Sequence, residues 1–225
     1  MRFKPVITAL VAFFLGINCL ACRPCDGCVT GLPTDSVPAP IMGLSTNLLY
    51  DAAMVPNAAF EIQFCERYSF QVSGMYAWWT SRRHDFFWRI YGADATFRVW
   101  FAPHPKGTSM SGHHVGAVGG AYTYDFEVGG KGYMGGQPRH GLLNKAHVLA
   151  GLEYGYSLPI KRRLNLDFSM AFGYAGGIYH EYTPMDGHYV WTATKRRTYF
   201  GPIRAAVSLV WLFGPDNANR KGGSQ

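Results

Sequence analysis

Thr198 to Phe213 reads TYFGPIRAAVSLVWLF, and its second half decides the fold. Ile203, Ala205, Val207, Leu209, Trp211 and Phe213 fall on one side of a period of two, against Arg204, Ala206 and Ser208 on the other. Side chains alternate in this way only along a β-strand. A globular strand averages about 5–6 residues, whereas a strand tilted through a bilayer needs about 9–11. The length of this stretch fits the second case.

The same pattern recurs upstream. Leu44–Asp51 alternates Leu44, Thr46, Leu48 and Tyr50 against Ser45, Asn47, Leu49 and Asp51, and is expected to be the first strand. Further strands are expected over Ala58–Cys65, Tyr68–Trp78, Arg89–Phe101, Lys145–Leu158 and Leu164–Ile178. His114–Asp125 is a strand of poor contrast, because Gly116, Gly119 and Gly120 blur its faces. Tight turns are expected at Glu66–Arg67 and Pro159–Arg163, and loops over Thr80–Trp88, Ala102–His113, Glu127–Asn144 and Tyr179–Arg197. Short turns alternating with longer loops are the arrangement of membrane barrels, with turns on the periplasmic side.

These features predict an all-β fold: a closed antiparallel up-and-down transmembrane barrel of about eight strands. Closure has a physical reason. An open sheet edge in lipid leaves N–H and C=O groups unpaired, each costing several kcal/mol. So narrow a lumen is expected to be filled by side chains. On this register Phe60, Phe70, Val72, Phe97, Leu152 and Phe168 face lipid, while Glu61, Arg98, Glu153 and Asp167 face inward.

Composition agrees. Of the 225 residues 16% are charged, 16% are aromatic, and 27 are Gly. The formal charge of +7 suits an anionic membrane surface or nucleic acid. The aromatics follow strand periods, so membrane lipid and lipopolysaccharide are the expected partners, with no nucleic acid. Arg2, Lys4 and the apolar run Val6–Ala21 read as a signal peptide spanning residues 1–21, too short for a membrane helix. The expected plan continues with a periplasmic linker at 22–41, the barrel at 42–213 and a polar tail at 214–225. The expected location is the outer membrane.

Cys22 follows the small residue Ala21 and is a candidate lipid anchor, although Cys19 occupies the position where a lipoprotein signal carries an aliphatic residue. Cys22, Cys25 and Cys28 have the spacing of a cluster-binding run, but the fourth thiol, Cys65, is distant and within a strand. No metal or cofactor is therefore expected.

Thr46-Asn47-Leu48-Leu49-Tyr50-Asp51, Pro56-Asn57 with Glu61, Glu153-Tyr154-Gly155-Tyr156, and Tyr199-Phe200-Gly201-Pro202 before Val207–Trp211 together resemble an uncharacterised domain family common in Bacteroidetes. That family is thought to form outer-membrane barrels. The resemblance spans Gly43–Phe213 and implies fold and location without an activity. Small OmpA-type barrels are similar in size, but no peptidoglycan-binding tail is present.

Six charged residues, Glu61, Asp94, Arg98, Glu153, Asp167 and Arg204, fall on inward positions. They read either as an ion path or as a fixed polar plug that specifies register, and the narrow lumen favours the plug. Ser81, His84, Asp85, His180, Glu181, Asp186 and His188 are the loop groups from which a lipid-modifying enzyme would draw, but no spacing sets a nucleophile beside a base. His113, His114 and His147 are expected to be structural or rim residues. Arg82, Arg83, Lys131, Arg139, His140 and Lys195–Arg197 make the loops basic, for solubility or for contact with lipopolysaccharide phosphates. The expected role is structural, or in surface assembly and interaction with protein partners at the cell surface. A small channel and a lipid-A-modifying enzyme are the alternatives.

Overall fold

The computed structural model describes residues 41–65, 67–81, 86–101, 110–136, 146–185 and 188–213. The expected signal peptide, Cys22 with its neighbouring cysteines, the linker as far as residue 40 and the polar tail lie outside the described residues. So do Arg82, Arg83, His84, Asp85, Arg139, His140 and Asp186.

Nine strands and one short helix follow in order: β1 (Ile41–Asn47), α1 (Leu48–Ala52), β2 (Asn57–Cys65), β3 (Tyr68–Ser81), β4 (Phe86–Trp100), β5 (Gly112–Val128), β6 (Lys131–Gly135), β7 (His147–Lys161), β8 (Leu164–Met185) and β9 (His188–Phe213). Eight of them form a closed antiparallel ring, β1-β2-β3-β4-β5-β7-β8-β9 and back to β1. The closing ladder runs from Met42 opposite Phe213 to Asn47 opposite Ser208. β6 stands outside the ring order. It fills the space between β5 and β8 beyond the end of β7, pairing Tyr124–Val128 on one side and Tyr179–Tyr182 on the other.

Three expectations change. The first strand ends at Asn47, and Leu48–Ala52 is helical. Asn47 causes this: its side-chain oxygen accepts the Leu49 N–H at 3.1 Å, which caps a helix start and competes with the ladder. Second, Tyr179–Arg197 is an extension of β8 and β9, paired as far as Met185 opposite His188. Third, Glu127–Asn144 contains β6 after the turn Gly129–Gly130, where both residues adopt positive φ. The ring is therefore lopsided: β1 and β2 have 7 and 9 residues, β8 and β9 have 22 and 26.

The two faces are chemically inverted relative to a soluble sheet. Leu152 (72%), Phe60, Val72, Phe168, Met170 and Phe172 are exposed on the outside, while Phe70 and Phe97 lie half-buried on the same side. Glu61, Arg98, Glu153 and Asp167 are buried inside at 2% each. Outer aromatic rings gather at two levels. Phe64, Tyr68 and Phe97 cluster at one, with centroids 5.9–6.4 Å apart. Tyr76, Trp78 and Tyr91 cluster at the other, at 6.3–6.5 Å.

β9 carries a bulge. Ala171 pairs with Arg204 but Phe172 with Pro202, so Ile203 is the extra residue. Pro202 has no N–H to give the ladder, which is where a bulge is tolerated. The bulge switches the alternation. Below it Arg204, Ala206, Ser208, Val210 and Leu212 point inward; above it Tyr199 and Arg197 do so in their place.

Candidate functional site

The interior is layered. At the end where β9 finishes, Trp100, Met110, Val210 and Leu212 pack into an apolar floor, with Ile41 against it. Met110 belongs to the connection before β5, and its carbonyl accepts a hydrogen bond from the Asn165 amide at 2.9 Å.

Above the floor sits Arg98. Its Nη1 meets Glu61 Oε2 at 2.7 Å, its Nε meets Glu153 Oε1 at 2.8 Å, and its Nη2 lies 3.6 Å from Asp167 Oδ2. One guanidinium thus reaches three carboxylates from β2, β7 and β8. The planar fork of arginine makes this geometry available; lysine offers a single point charge. Two further groups complete the shell. Ser69 donates to Glu61 Oε1 at 2.5 Å and accepts from Trp100 Nε1 at 2.8 Å. His114 Nε2 lies 2.8 Å from Asp167 Oδ1; the carboxylate accepts, so this nitrogen carries the proton.

A second layer centres on Arg204. Its Nη1 is 2.9 Å from Asp94 Oδ1 and 3.6 Å from Glu153 Oε2. It also donates to Thr96 at 3.1 Å, and Nη2 donates to Gln71 at 3.4 Å. All six inward charges named from the sequence therefore meet in one connected network, joined through the two oxygens of Glu153: Oε1 on Arg98 and Oε2 facing Arg204. His114, expected from the sequence to be a structural or rim residue, is buried in this network on β5, whose glycines blur the inward face.

The expectation of a fully filled interior holds for these layers and fails above them. There a cavity of about 550 Å³ opens. β5 supplies one wall with Tyr122, Tyr124 and Phe126, whose rings follow each other at 6.2 and 5.3 Å. Tyr133 of β6 and Tyr179 of β8 continue it, and Tyr199 and Arg197 of β9 face it from beyond the bulge. His147 packs against Tyr122 and Tyr124 at 5.7 and 5.1 Å. Glycines leave room for these rings to lie along the wall. A Cβ on Gly92 would meet Tyr122 Cβ at 2.6 Å, one on Gly135 would strike the Tyr124 ring, and one on Gly177 would come within 2.8 Å of His147. Arg197 lies 5.9 Å from the Tyr199 ring centre and has no carboxylate partner among the described residues. The sequence concealed this cavity: inward and outward tyrosines look alike, and only the bulge turns Arg197 and Tyr199 inside.

Of the loop groups considered for catalysis, Ser81, His180, Glu181 and His188 fall among the described residues, and they stand on different strands or engage other partners. Ser81 ends β3 opposite Phe86, and His180 and Glu181 lie within β8. His180 packs on Trp191 at 4.2 Å with Nδ1 2.8 Å from Thr194 Oγ1; Glu181 pairs with Lys195 at 2.8 Å. His188 begins β9. Among the described residues no cluster of His, Cys, Asp and Glu is arranged to hold a metal ion.

The polar residues of the Thr46–Asp51 and Pro56–Asn57 segments form a knot at the end of the ring away from the floor, where β1 and β2 meet. Thr46 donates to Asp51 at 2.7 Å, and the Asn57 amide donates to Asp51 at 2.9 Å and to the Asn47 carbonyl at 3.1 Å. Asn57 Oδ1 accepts the Asn47 N–H at 2.7 Å. Trp79 and Trp88 hold the following turn by donating to the carbonyls of Met54 and Ala53, at 2.6 and 3.2 Å.

In comparisons with known proteins, a family model described as "Protein of unknown function (DUF3575)" matches residues 28–213. No curated protein and no solved structure matches the chain.

Proposed function

Since the chain belongs to the DUF3575 family of proteins of unknown function, its role has to be argued from its own surfaces, and we propose that it is an eight-stranded transmembrane β-barrel of a bacterial outer membrane. The observation that carries this reading is the inversion of the two faces: ions inside, many large apolar side chains exposed outside. Such a surface in water would be a large adhesive patch. The two outer aromatic levels support it further. Tyr68 and Tyr76 are eight residues apart on β3. At about 3.3 Å per residue and a tilt of about 40°, that is roughly 20 Å of height, close to the apolar band of about 25 Å between the girdles of membrane barrels.

The charged layers and the apolar floor then make the lumen a plug instead of a path. A barrel plugged in this way serves as a structural or interaction platform, and its β8–β9 extension is the part offered to partners at the cell surface. Lys131 and Arg196 lie exposed on the extension strands, positioned to meet lipopolysaccharide phosphates. Fractionation tests the proposal: the protein is expected in outer-membrane fractions, with heat-modifiable gel mobility and no conductance in planar bilayers. Recovery as a soluble monomer without detergent would overturn it.

A further inference from the structure

We propose that the aromatic cavity above the Arg204 layer is a binding site for an anionic sugar: a single sugar ring carrying a carboxylate or phosphate. This goes beyond the reading of the chain as a membrane platform. Its size comes first. About 550 Å³ lies within the range of about 300–1,000 Å³ seen for small-molecule sites, enough for one or two rings. Its shape is built and not left over. Gly92, Gly135 and Gly177 sit where a Cβ would drive Tyr122, Tyr124 and His147 into the space.

Charge decides the sign of the ligand. Among the described residues no carboxylate lines the cavity. Among the described residues two acids on neighbouring levels are already engaged, Asp94 by Arg204 and Glu181 by Lys195. Arg197, with no carboxylate partner among the described residues, is a guanidinium beside the Tyr199 ring, ready to take a carboxylate or phosphate through charge-assisted hydrogen bonds. The remaining lining decides the body of the ligand. Five tyrosines offer ring faces for C–H contact and hydroxyls as donors and acceptors. A polyhydroxylated ring satisfies those hydroxyls. An aromatic acid of the same size would displace their water and leave them unpaired.

The test uses the full mature chain refolded in detergent micelles, so it does not depend on where the protein resides in the cell. Binding is followed by intrinsic fluorescence and calorimetry with glucose 6-phosphate, glucuronate, glucose, benzoate and inorganic phosphate. Saturable binding of the two anionic sugars, at least about tenfold tighter than glucose, is expected. Arg197→Gln should remove that preference, and Ala175→Met, which extends a lining side chain into the space, should weaken all binding, each with heat-modifiable mobility intact. Failure of both anionic sugars to bind would overturn the proposal. So would glucose binding equally well, tighter binding of benzoate or inorganic phosphate, or an unchanged preference in folded Arg197→Gln. Lipopolysaccharide core saccharide, added as a competitor, distinguishes the sources: displacement of glucose 6-phosphate points to a membrane-borne sugar, and its absence to a free one.

Discussion

Arg98 balances three carboxylates from inside the ring, and removing it leaves Glu61, Glu153 and Asp167 buried without their common partner. Breaking a buried pair from one side costs about 3–5 kcal/mol, because the remaining charge cannot be hydrated. Arg98→Ala is therefore expected to lose at least that much in urea unfolding measured in micelles. Arg98→Lys keeps the charge but not the fork, and should recover less than half of the loss. An Arg98→Ala protein as stable as the wild type would show that these carboxylates are not held by Arg98. The inward position of these groups was legible in the sequence, because a period of two leaves a polar residue in an apolar strand only one side to occupy. His114 and Arg197 were not legible. One sits on a strand whose glycines erase the contrast, and the other sits beyond a bulge that reverses the alternation.

Among the elements, α1 shows a limit of periodicity. Leu48 and Leu49 continue the apolar run of β1, yet the chain turns helical because Asn47 caps it. Asn47 also donates to the Ala205 carbonyl at 3.2 Å and accepts the Val207 N–H at 3.2 Å, so one side chain joins helix, β1 and β9. Asn47→Ala should cost about 1–3 kcal/mol, the sum of a lost cap and unpaired backbone groups. Polar residues without an alternation of apolar contrast predict a loop where the β8–β9 extension runs; in the structure they satisfy each other, as Lys195 and Glu181 do at 2.8 Å. Tyr182, which stands beyond the upper aromatic level, donates to Asp125 at 2.6 Å with Glu127 Oε2 3.3 Å away, and Arg89 reaches Asp125 from the other side at 3.1 Å. Burial first, then the neighbouring carboxylates, hold the Tyr182 hydroxyl well above its ordinary value. With the folded value raised, the unfolded chain loses this proton first. The stabilisation is complete below about pH 10 and declines as pH rises through the folded value. The Tm advantage of the wild type over Tyr182→Phe should accordingly shrink between about pH 9 and about pH 12. A constant difference would remove Tyr182 from the pH response.

For the whole molecule, closure is the central event. Deleting residues 216–225 is expected to be tolerated, since the closing ladder ends at Phe213. Deleting from Leu209 onward removes the partners of Met42–Thr46 and should abolish heat-modifiable mobility and protease resistance. A compact, resistant product from the shorter chain would mean that closure does not need this end of β9. If the ring spans a bilayer, Leu152, the most exposed of the outer leucines, lies in lipid. Leu152→Arg should then cost about 2–4 kcal/mol near the midplane and leave stability in micelles less affected. The closed eight-strand ring was legible because strand lengths and alternation repeat along the chain. Its lopsided height and the wedge of β6 were not, since both depend on pairings between distant segments.

The Asn47–Val207 hydrogen bond joins residues 160 apart in sequence. A chain that must bring such distant positions together faces a loop-closure term of about 4–5 kcal/mol before any contact repays it. Local hairpins such as β3–β4 and β8–β9 carry no comparable delay, so the seam between β1 and β9 is expected to zip last. A contact made after the rate-limiting step changes how fast the native state opens and hardly changes how fast it forms. Asn47→Ala should then raise the unfolding rate by most of its equilibrium effect while the refolding rate stays nearly constant, and kinetics in urea would expose a seam that forms early as the opposite split.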